Sequence, residues 1–239
     1  MPDRTSLLQV KIFADGADRE SILALAQNPL IKGFTTNPTL MRKAGVKDYE
    51  AFCRDLVNAI PGRPFSFEVF SDDFEEMEQQ ALRIAGWGPN VYVKIPITNT
   101  RAQSSGLLVH RLARHGVKMN VTAVMTSDQV DTVLPHLKNG PPSYISIFAG
   151  RIADAGCDPL PTICSTLTKI RAYPQIELIW ASPRELFNIV QADQIGCHII
   201  TVTNDILKKL PMLGRDLNEF SLDTVKMFYD DARSAGFTL

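Results

Sequence analysis

Short β-branched runs alternate eight times with longer amphipathic stretches in this 239-residue chain, and that repetition restricts the fold more than any other feature. The strand candidates are residues 10–15, 33–37, 65–70, 91–95, 118–124, 144–150, 177–182 and 198–203. Helix-like segments follow at 19–27, 49–59, 74–85, 102–115, 127–137, 160–172, 184–192 and 205–209, with an extra one at 222–235. The switch from a period near 2 to one near 3.6 separates the two kinds of segment. Asp18, Asp48, Asp72 and Ser127 stand where N-caps are expected, and Gly116 follows its helix as a C-terminal glycine. Strict strand–helix alternation requires a parallel sheet covered by helices. Eight units predict a closed (β/α)8 TIM barrel with an extra C-terminal helix. The rival, a doubly wound open sheet, usually shows a glycine-rich phosphate loop after an early strand; here Asp15-Gly16-Ala17-Asp18 has no such spacing. No Ser/Gly-rich or Pro-rich linker divides the chain, so residues 1–239 are expected to form a single domain.

Hydrophobic residues make up 45% of the chain, enough for a substantial core. Net charge is −1 and no basic block stands out, which argues against nucleic acid or an anionic membrane as partner. No apolar run is long enough to span a bilayer, and Met1-Pro2-Asp3-Arg4-Thr5-Ser6 lacks a secretory pattern, so the cytoplasm is expected. Cys53, Cys157, Cys164 and Cys197 form no CxxC pair and are expected to be small buried thiols. His110, His115, His136 and His198 form no HxxxH or HExxH pair, so no metal site is expected.

In a barrel of this kind the active site is built at the C-terminal ends of the strands. The first candidate strand ends in Asp15 and the second in Thr35-Thr36-Asn37. The third carries Glu68, the fourth Lys94, and the fifth Asn120 and Thr122. The sixth carries Ser146 and leads to Arg151; the seventh ends in Ser182, with Arg184 beyond. Lys94 closes the apolar run Val91-Tyr92-Val93-Lys94-Ile95-Pro96, where a charge is costly to bury. A lysine amine freed of its proton attacks carbonyl carbon, the first step of Schiff-base chemistry. Asp15, Glu68 and Lys94 can also be read as a structural ion-pair network, but the recurrence of polar groups at matching strand ends favours convergence on one site. Arg151 and Arg184 suit bidentate contact with a phosphate, and Ser182 adds a hydroxyl.

These segments resemble the class I transaldolase family, in the group of short transaldolase-like and fructose-6-phosphate aldolase enzymes. The matching motifs are Gly33-Phe34-Thr35-Thr36-Asn37-Pro38, Val93-Lys94-Ile95-Pro96, Asn120-Val121-Thr122, Ser146-Ile147-Phe148-Ala149-Gly150-Arg151 and Ala181-Ser182-Pro183-Arg184, in family order. The resemblance implies that Lys94 forms an imine with a ketose phosphate and that Asp15 is the acid/base group. It implies that Glu68 and Thr122 act through a bound water during imine formation. Asn37 and Asn120 would hold the dihydroxyacetone hydroxyls, with Ser146, Thr35 and Phe148 completing the substrate side, while Arg151, Ser182 and Arg184 would take the phosphate.

The aldolase branch typically carries glutamine at position 68 and tyrosine at 148; this chain has Glu68 and Phe148, the transaldolase form. Transfer of a three-carbon unit is therefore expected, with a sugar-phosphate aldolase and a silent sugar-phosphate-binding barrel as alternatives. No cofactor is expected, because the imine supplies the electron sink, and relatives' assemblies imply a homo-oligomer. The chain departs from the family pattern at Gly16, where threonine is common, and at Ile97-Thr98-Asn99-Thr100, where an acidic residue and glycine are commoner.

Overall fold

The computed structural model describes residues 4–239; residues 1–3, part of the stretch that lacks a secretory pattern, lie outside the described residues. Eight parallel strands close a barrel in chain order: β1 (Lys11–Asp15), β2 (Ile31–Thr35), β3 (Phe65–Glu68), β4 (Val91–Pro96), β5 (Met119–Val124), β6 (Ser143–Ile147), β7 (Ile176–Trp180) and β8 (Ile199–Thr203). β8 pairs back onto β1. The helices are α1 (Arg19–Leu25), α2 (Pro38–Lys43), α3 (Tyr49–Ala59), α4 (Phe74–Ala85), α5 (Gly106–Arg114), α6 (Ser127–Leu137), α7 (Ala149–Asp154), α8 (Leu160–Ile170), α9 (Phe187–Gln194), α10 (Asn204–Leu207) and α11 (Leu217–Ser234). The expected (β/α)8 TIM barrel with its C-terminal helix is the observed fold.

Strand alternation divides the buried residues into two sets. Ile12, Phe67, Val93, Val121, Ile145 and Leu178 pack outward in the large core beneath the helices. Phe13, Tyr144, Ile179 and Ile199, joined by Tyr92 and Phe148, fill the barrel interior. Each fully buried Ile, Leu or Val contributes about 1.5–3 kcal/mol, so the outer layer supplies most of the hydrophobic drive. Burial on both faces explains why the strands read as apolar runs.

Several boundaries differ from the sequence reading. β2 ends at Thr35, because Asn37 is the N-cap of α2: its Oδ1 accepts from the Leu40 N–H at 3.0 Å, and Pro38 opens the helix. β6 stops at Ile147 and the chain turns into α7, which carries Arg151. β7 stops at Trp180, leaving Ser182 in the following loop at φ +60°. Asp73, not Asp72, caps α4, and Thr126, not Ser127, caps α6 in a capping box with Gln129. Asp72 instead accepts from the Thr100 N–H (2.7 Å) and hydroxyl (2.8 Å), bracing the loop after β4. That loop folds on itself through a Thr98–Ser104 bridge, so α5 begins at Gly106 rather than 102. Cys53 and Cys197 are buried as expected, but Cys157 and Cys164 are exposed.

Candidate active site

Alternation along β4 sends Val91, Val93 and Ile95 outward and Tyr92 and Lys94 into the barrel. Lys94 is only 6% exposed. Its Nζ donates to the Thr36 carbonyl at 2.8 Å and meets Glu68 Oε2 at 3.0 Å. Register makes this contact: Glu68 lies beside Lys94 on β3–β4, and Lys94 beside Asn120 on β4–β5. Removing one partner from so enclosed a pair costs about 3–5 kcal/mol, because the other charge is left buried alone. The Tyr49 hydroxyl, on the first turn of α3, accepts from the Glu68 N–H and donates to the Glu68 carbonyl, each at 2.9 Å. That contact fixes the end of β3 behind the carboxylate.

Asp15 sits at the end of β1, in register with Thr35 and Thr203. It accepts from Thr35 Oγ1 at 2.7 Å, and that hydroxyl also bonds the hydroxyl of Thr201. Burial pushes the Asp15 carboxyl above its usual range; nearby Lys94 and the Thr35 hydrogen bond oppose this, and the Glu68 charge reinforces it. A carboxyl raised in this way keeps its proton to higher pH, as a group that both gives and takes protons must.

On the next strands, Asn120 Nδ2 donates to Ser66 Oγ at 3.1 Å, and Ser146 Oγ donates to Asn120 Oδ1 at 2.7 Å. The chain orients Asn120 rather than leaving it loose. Beyond Thr122, Ala123 takes φ +59° where the β5–β6 register shifts. A non-glycine residue in that region carries about 1–3 kcal/mol of strain, and such strain clusters at functional sites. Thr122 Oγ1 is buried and has no hydrogen-bond partner among the described residues, so its hydroxyl is open to a ligand.

The phosphate-type residues lie across β6 and β7. Arg151 is on α7, and Arg184 lies in the loop before α9 rather than beginning that helix. The Arg184 guanidinium is already engaged: Nε donates to Asp154 Oδ1 at 2.9 Å, Nη2 to Asp154 Oδ2, and Nη1 to Ser182 Oγ at 3.0 Å. Arg184 in turn holds the Asp154 carboxyl below its usual range. A Cβ at Gly150 would stand 1.6 Å from the Ser182 carbonyl oxygen, so only glycine lets α7 start this close to the loop.

One cleft of about 580 Å³ opens at the C-terminal mouth. Its walls include the twelve residues singled out from the sequence: Asp15, Thr35, Asn37, Glu68, Lys94, Asn120, Thr122, Ser146, Phe148, Arg151, Ser182 and Arg184. The Oδ1 of Asn37 is occupied by its cap, so its NH2 is the group it can offer the cleft. Sequence reasoning misses Thr201, Ser66, Tyr49 and Asp154. Thr201 and Ser66 are the legible ones, since the period-2 rule aligns Thr201 with Ile199 in β8 and Ser66 with Glu68 in β3; Tyr49 and Asp154 reach the site only through tertiary contact. Among the described residues no three His, Cys, Asp or Glu side chains gather to hold a metal ion, and no helix is long and apolar enough to cross a membrane.

Comparison with known proteins shows the family. The chain is 34% identical over 218 residues to a "Probable transaldolase" of Streptococcus equi subsp. equi, covering 90% of this chain and 97% of that protein. A "Probable transaldolase" of Thermoanaerobacter sp. is 33% identical over 232 residues, covering 96% and 100% respectively. Among solved structures, a putative lyase/mutase from Burkholderia cenocepacia superposes with a TM-score of 0.56 at 14% identity, covering 96% of this chain and 86% of that one, a likeness of fold alone. The sequence profile described as Transaldolase/Fructose-6-phosphate aldolase matches residues 12–239, and the chain belongs to that family.

Proposed function

We propose that this protein is a transaldolase. It moves a dihydroxyacetone unit from a ketose phosphate (sedoheptulose 7-phosphate or fructose 6-phosphate) to an aldose phosphate (glyceraldehyde 3-phosphate or erythrose 4-phosphate). The observation that carries the reading is Lys94, buried at 6% exposure, with Glu68 Oε2 at 3.0 Å and Asp15 in the same cleft. In this reading Glu68 takes the proton that Lys94 must lose before its nitrogen attacks C2 of the ketose. Loss of water gives a protonated imine, Asp15 accepts the proton of the C4 hydroxyl, and the C3–C4 electron pair moves into the imine as an aldehyde departs. The resulting enamine attacks the incoming aldehyde carbon; Asp15 returns its proton to the new alkoxide, and hydrolysis frees Lys94. Asn37, Asn120, Ser146 and Thr35 orient the hydroxyls, Thr122 offers its unpartnered hydroxyl, and Arg151, Ser182 and Arg184 receive the phosphate.

Phe148 lines the cleft and has no proton to give, which supports transfer over release of free dihydroxyacetone. Borohydride with fructose 6-phosphate is expected to add a reduced three-carbon mass to the Lys94 peptide; a folded protein without that adduct sinks the imine route. Ketose turnover with and without acceptor aldehyde separates the two reactions, and equal rates would favour the aldolase. Phe148→Tyr is expected to raise acceptor-independent cleavage several-fold, read as the ratio of the two rates.

The wider setting follows from this reading: one catalytic domain, cytoplasmic, in pentose phosphate metabolism. The proposal includes a homo-oligomer, supported by α11, whose Leu217, Leu222, Val225, Phe228 and Tyr229 are all exposed and which buries no residue against the barrel. Light scattering on the full chain checks the oligomer.

A further inference from the structure

A hydroxyl carries one hydrogen, and that count gives a direction to the hydrogen-bond chain beside Asp15. Thr35 Oγ1 donates to Asp15 Oδ1 at 2.7 Å and also bonds Thr201 Oγ1. Its single hydrogen is committed to the carboxylate, so in the second bond Thr201 is the donor. The order is therefore Thr201 to Thr35 to Asp15, with both hydroxyls aimed at the negative charge. Thr35 and Thr201 are 4% and 6% exposed and lie on β2 and β8, the two strands that pair with β1. Both line the cleft, and Asp15 Oδ2 takes no hydrogen bond from the described residues.

We propose that Thr201 is a positioning residue for Asp15: acting through Thr35, it holds Oδ1 as a fixed acceptor and leaves Oδ2 to exchange the proton with substrate. The proposal rests on the transfer reading above. In the cleavage step the C4 hydroxyl proton passes to Oδ2, the O–H electron pair forms the aldehyde carbonyl, and the C3–C4 pair moves into the imine. Thr35 stays bonded to Oδ1 throughout. Each hydroxyl in such a chain polarises the next, so the bond to the carboxylate is stronger with Thr201 in place. That bond opposes the larger effect of burial, which raises the Asp15 carboxyl above its ordinary range.

Thr201→Val keeps the β-branched shape and puts a methyl where the hydroxyl stood, whereas Thr201→Ser keeps the donor. Without that donor the ionised carboxylate is less well stabilised and holds its proton to higher pH. The ionised form accepts the C4 proton, so the acid limb of single-turnover fructose 6-phosphate cleavage should move up by about 0.5–1 pH unit in Thr201→Val. Below the limb this is a loss of about 3–10-fold that closes above it, and Thr201→Ser should follow wild type. The charged groups around Asp15 are Lys94, Glu68, Lys43, Arg151 and Arg184 in the cleft, with Asp18 and Asp205 in the neighbouring pocket; neither variant alters them. The rate of borohydride-trapped adduct formation at Lys94 should change less than about twofold, since Thr201 bonds neither Lys94 nor Glu68. An unmoved limb, a limb moved equally by serine, or a loss that is the same at every pH overturns the proposal.

Carbon-13 NMR titration of the Asp15 carboxyl, assigned by its disappearance in Asp15→Asn, reads the same chain without turnover. Its midpoint is expected to rise in Thr201→Val and not in Thr201→Ser, with Tm confirming that both variants are folded. A midpoint that rises in a protein whose Lys94 forms no borohydride adduct with fructose 6-phosphate would count against the transaldolase reading alone. An adduct together with an unmoved midpoint would count against the role of Thr201 alone.

Discussion

The barrel carries a lysine–glutamate pair at each end, and only one of them is enclosed and borders the cleft. At the N-terminal rim Lys11 on β1 pairs with Glu177 on β7, their side chains 40% and 27% exposed. At the C-terminal mouth Lys94 pairs with Glu68 at 7% and 18%. Between them lies an aromatic layer: the Tyr92 and Tyr144 rings stack at 4.1 Å, and Phe13 meets Tyr144 edge-on at 5.9 Å. The residue types are identical; what differs is solvent and company. Water screens the lower pair, whereas the upper one shares its enclosure with the Asp15 carboxyl and opens onto a 580 Å³ cleft. A charged pair becomes chemistry when burial makes its protonation state costly and a pocket brings it a substrate.

The largest expected effect tests that contrast directly. Lys94→Met is expected to lower transfer by about 10⁴-fold or more, because the cleft's other lysine, Lys43, is exposed and has no carboxylate paired to it as Glu68 is to Lys94. Lys11→Met is expected to leave kcat and KM within about twofold, a change that remote charges rarely exceed. Steady-state kinetics on the two variants decide it. Comparable losses in both would mean that the two pairs do not differ in the way their burial suggests.

Asp15→Asn separates activity from stability. Transfer is expected to fall about 10²–10⁴-fold, the range for loss of an acid/base group. Stability is expected to move the other way. Because burial raises the folded-state pKa above the ordinary 3.8, the folded protein binds the Asp15 proton more tightly than the unfolded chain. Stability therefore declines as pH rises from that ordinary value through the raised one, and the ionised carboxylate is a burden at neutral pH. The asparagine variant should melt roughly 2–4 °C higher at pH 7, on the order of 1 kcal/mol, and the gap should close toward pH 4. A gap that widens on acidification would reverse the assignment of Asp15 as a carboxyl strained by burial.

Much of this contrast is legible in the order of residues along the chain. Strand–helix alternation implies the barrel, and the rule that barrel strands present function at their C-terminal ends picks out Lys94 over Lys11. What stays hidden has physical causes. Asn37 reads as a strand end because β-rich Thr35-Thr36 precedes it, yet its side chain and Pro38 form a helix start that local pattern does not separate from the strand. Arg184 is legible as an anion donor, but its engagement by Asp154, 30 positions away, depends on how the loops after β6 and β7 meet. The cleft itself draws its walls from all eight strand ends and the loops after them, from Asp15 to Thr203, and no window along the sequence contains it.

A smaller effect sharpens the upper pair. Tyr49→Phe removes the hydroxyl that bonds both backbone groups of Glu68, leaving a half-buried N–H and carbonyl unpaired. The expected cost is about 1–3 kcal/mol in urea unfolding, with kcat falling more than KM changes, since the displaced group is the carboxylate proposed to take the Lys94 proton. A loss of stability with kcat untouched would make Tyr49 a packing residue only.

The smallest effect is expected at the lower pair, and it bounds the comparison from below. A double-mutant cycle with Lys11→Met and Glu177→Gln should give a coupling of about 0.2–1 kcal/mol, the range for pairs with this much solvent access. Raising salt to about 1 M, where the screening length is near 3 Å, should erase most of it. The corresponding coupling between Lys94 and Glu68, measured as stability with Lys94→Met and Glu68→Gln, should be larger and far less sensitive to salt. Equal couplings would show that the barrel encloses both pairs alike; the catalytic difference would then have to come from Asp15 and the cleft rather than from burial of the lysine itself.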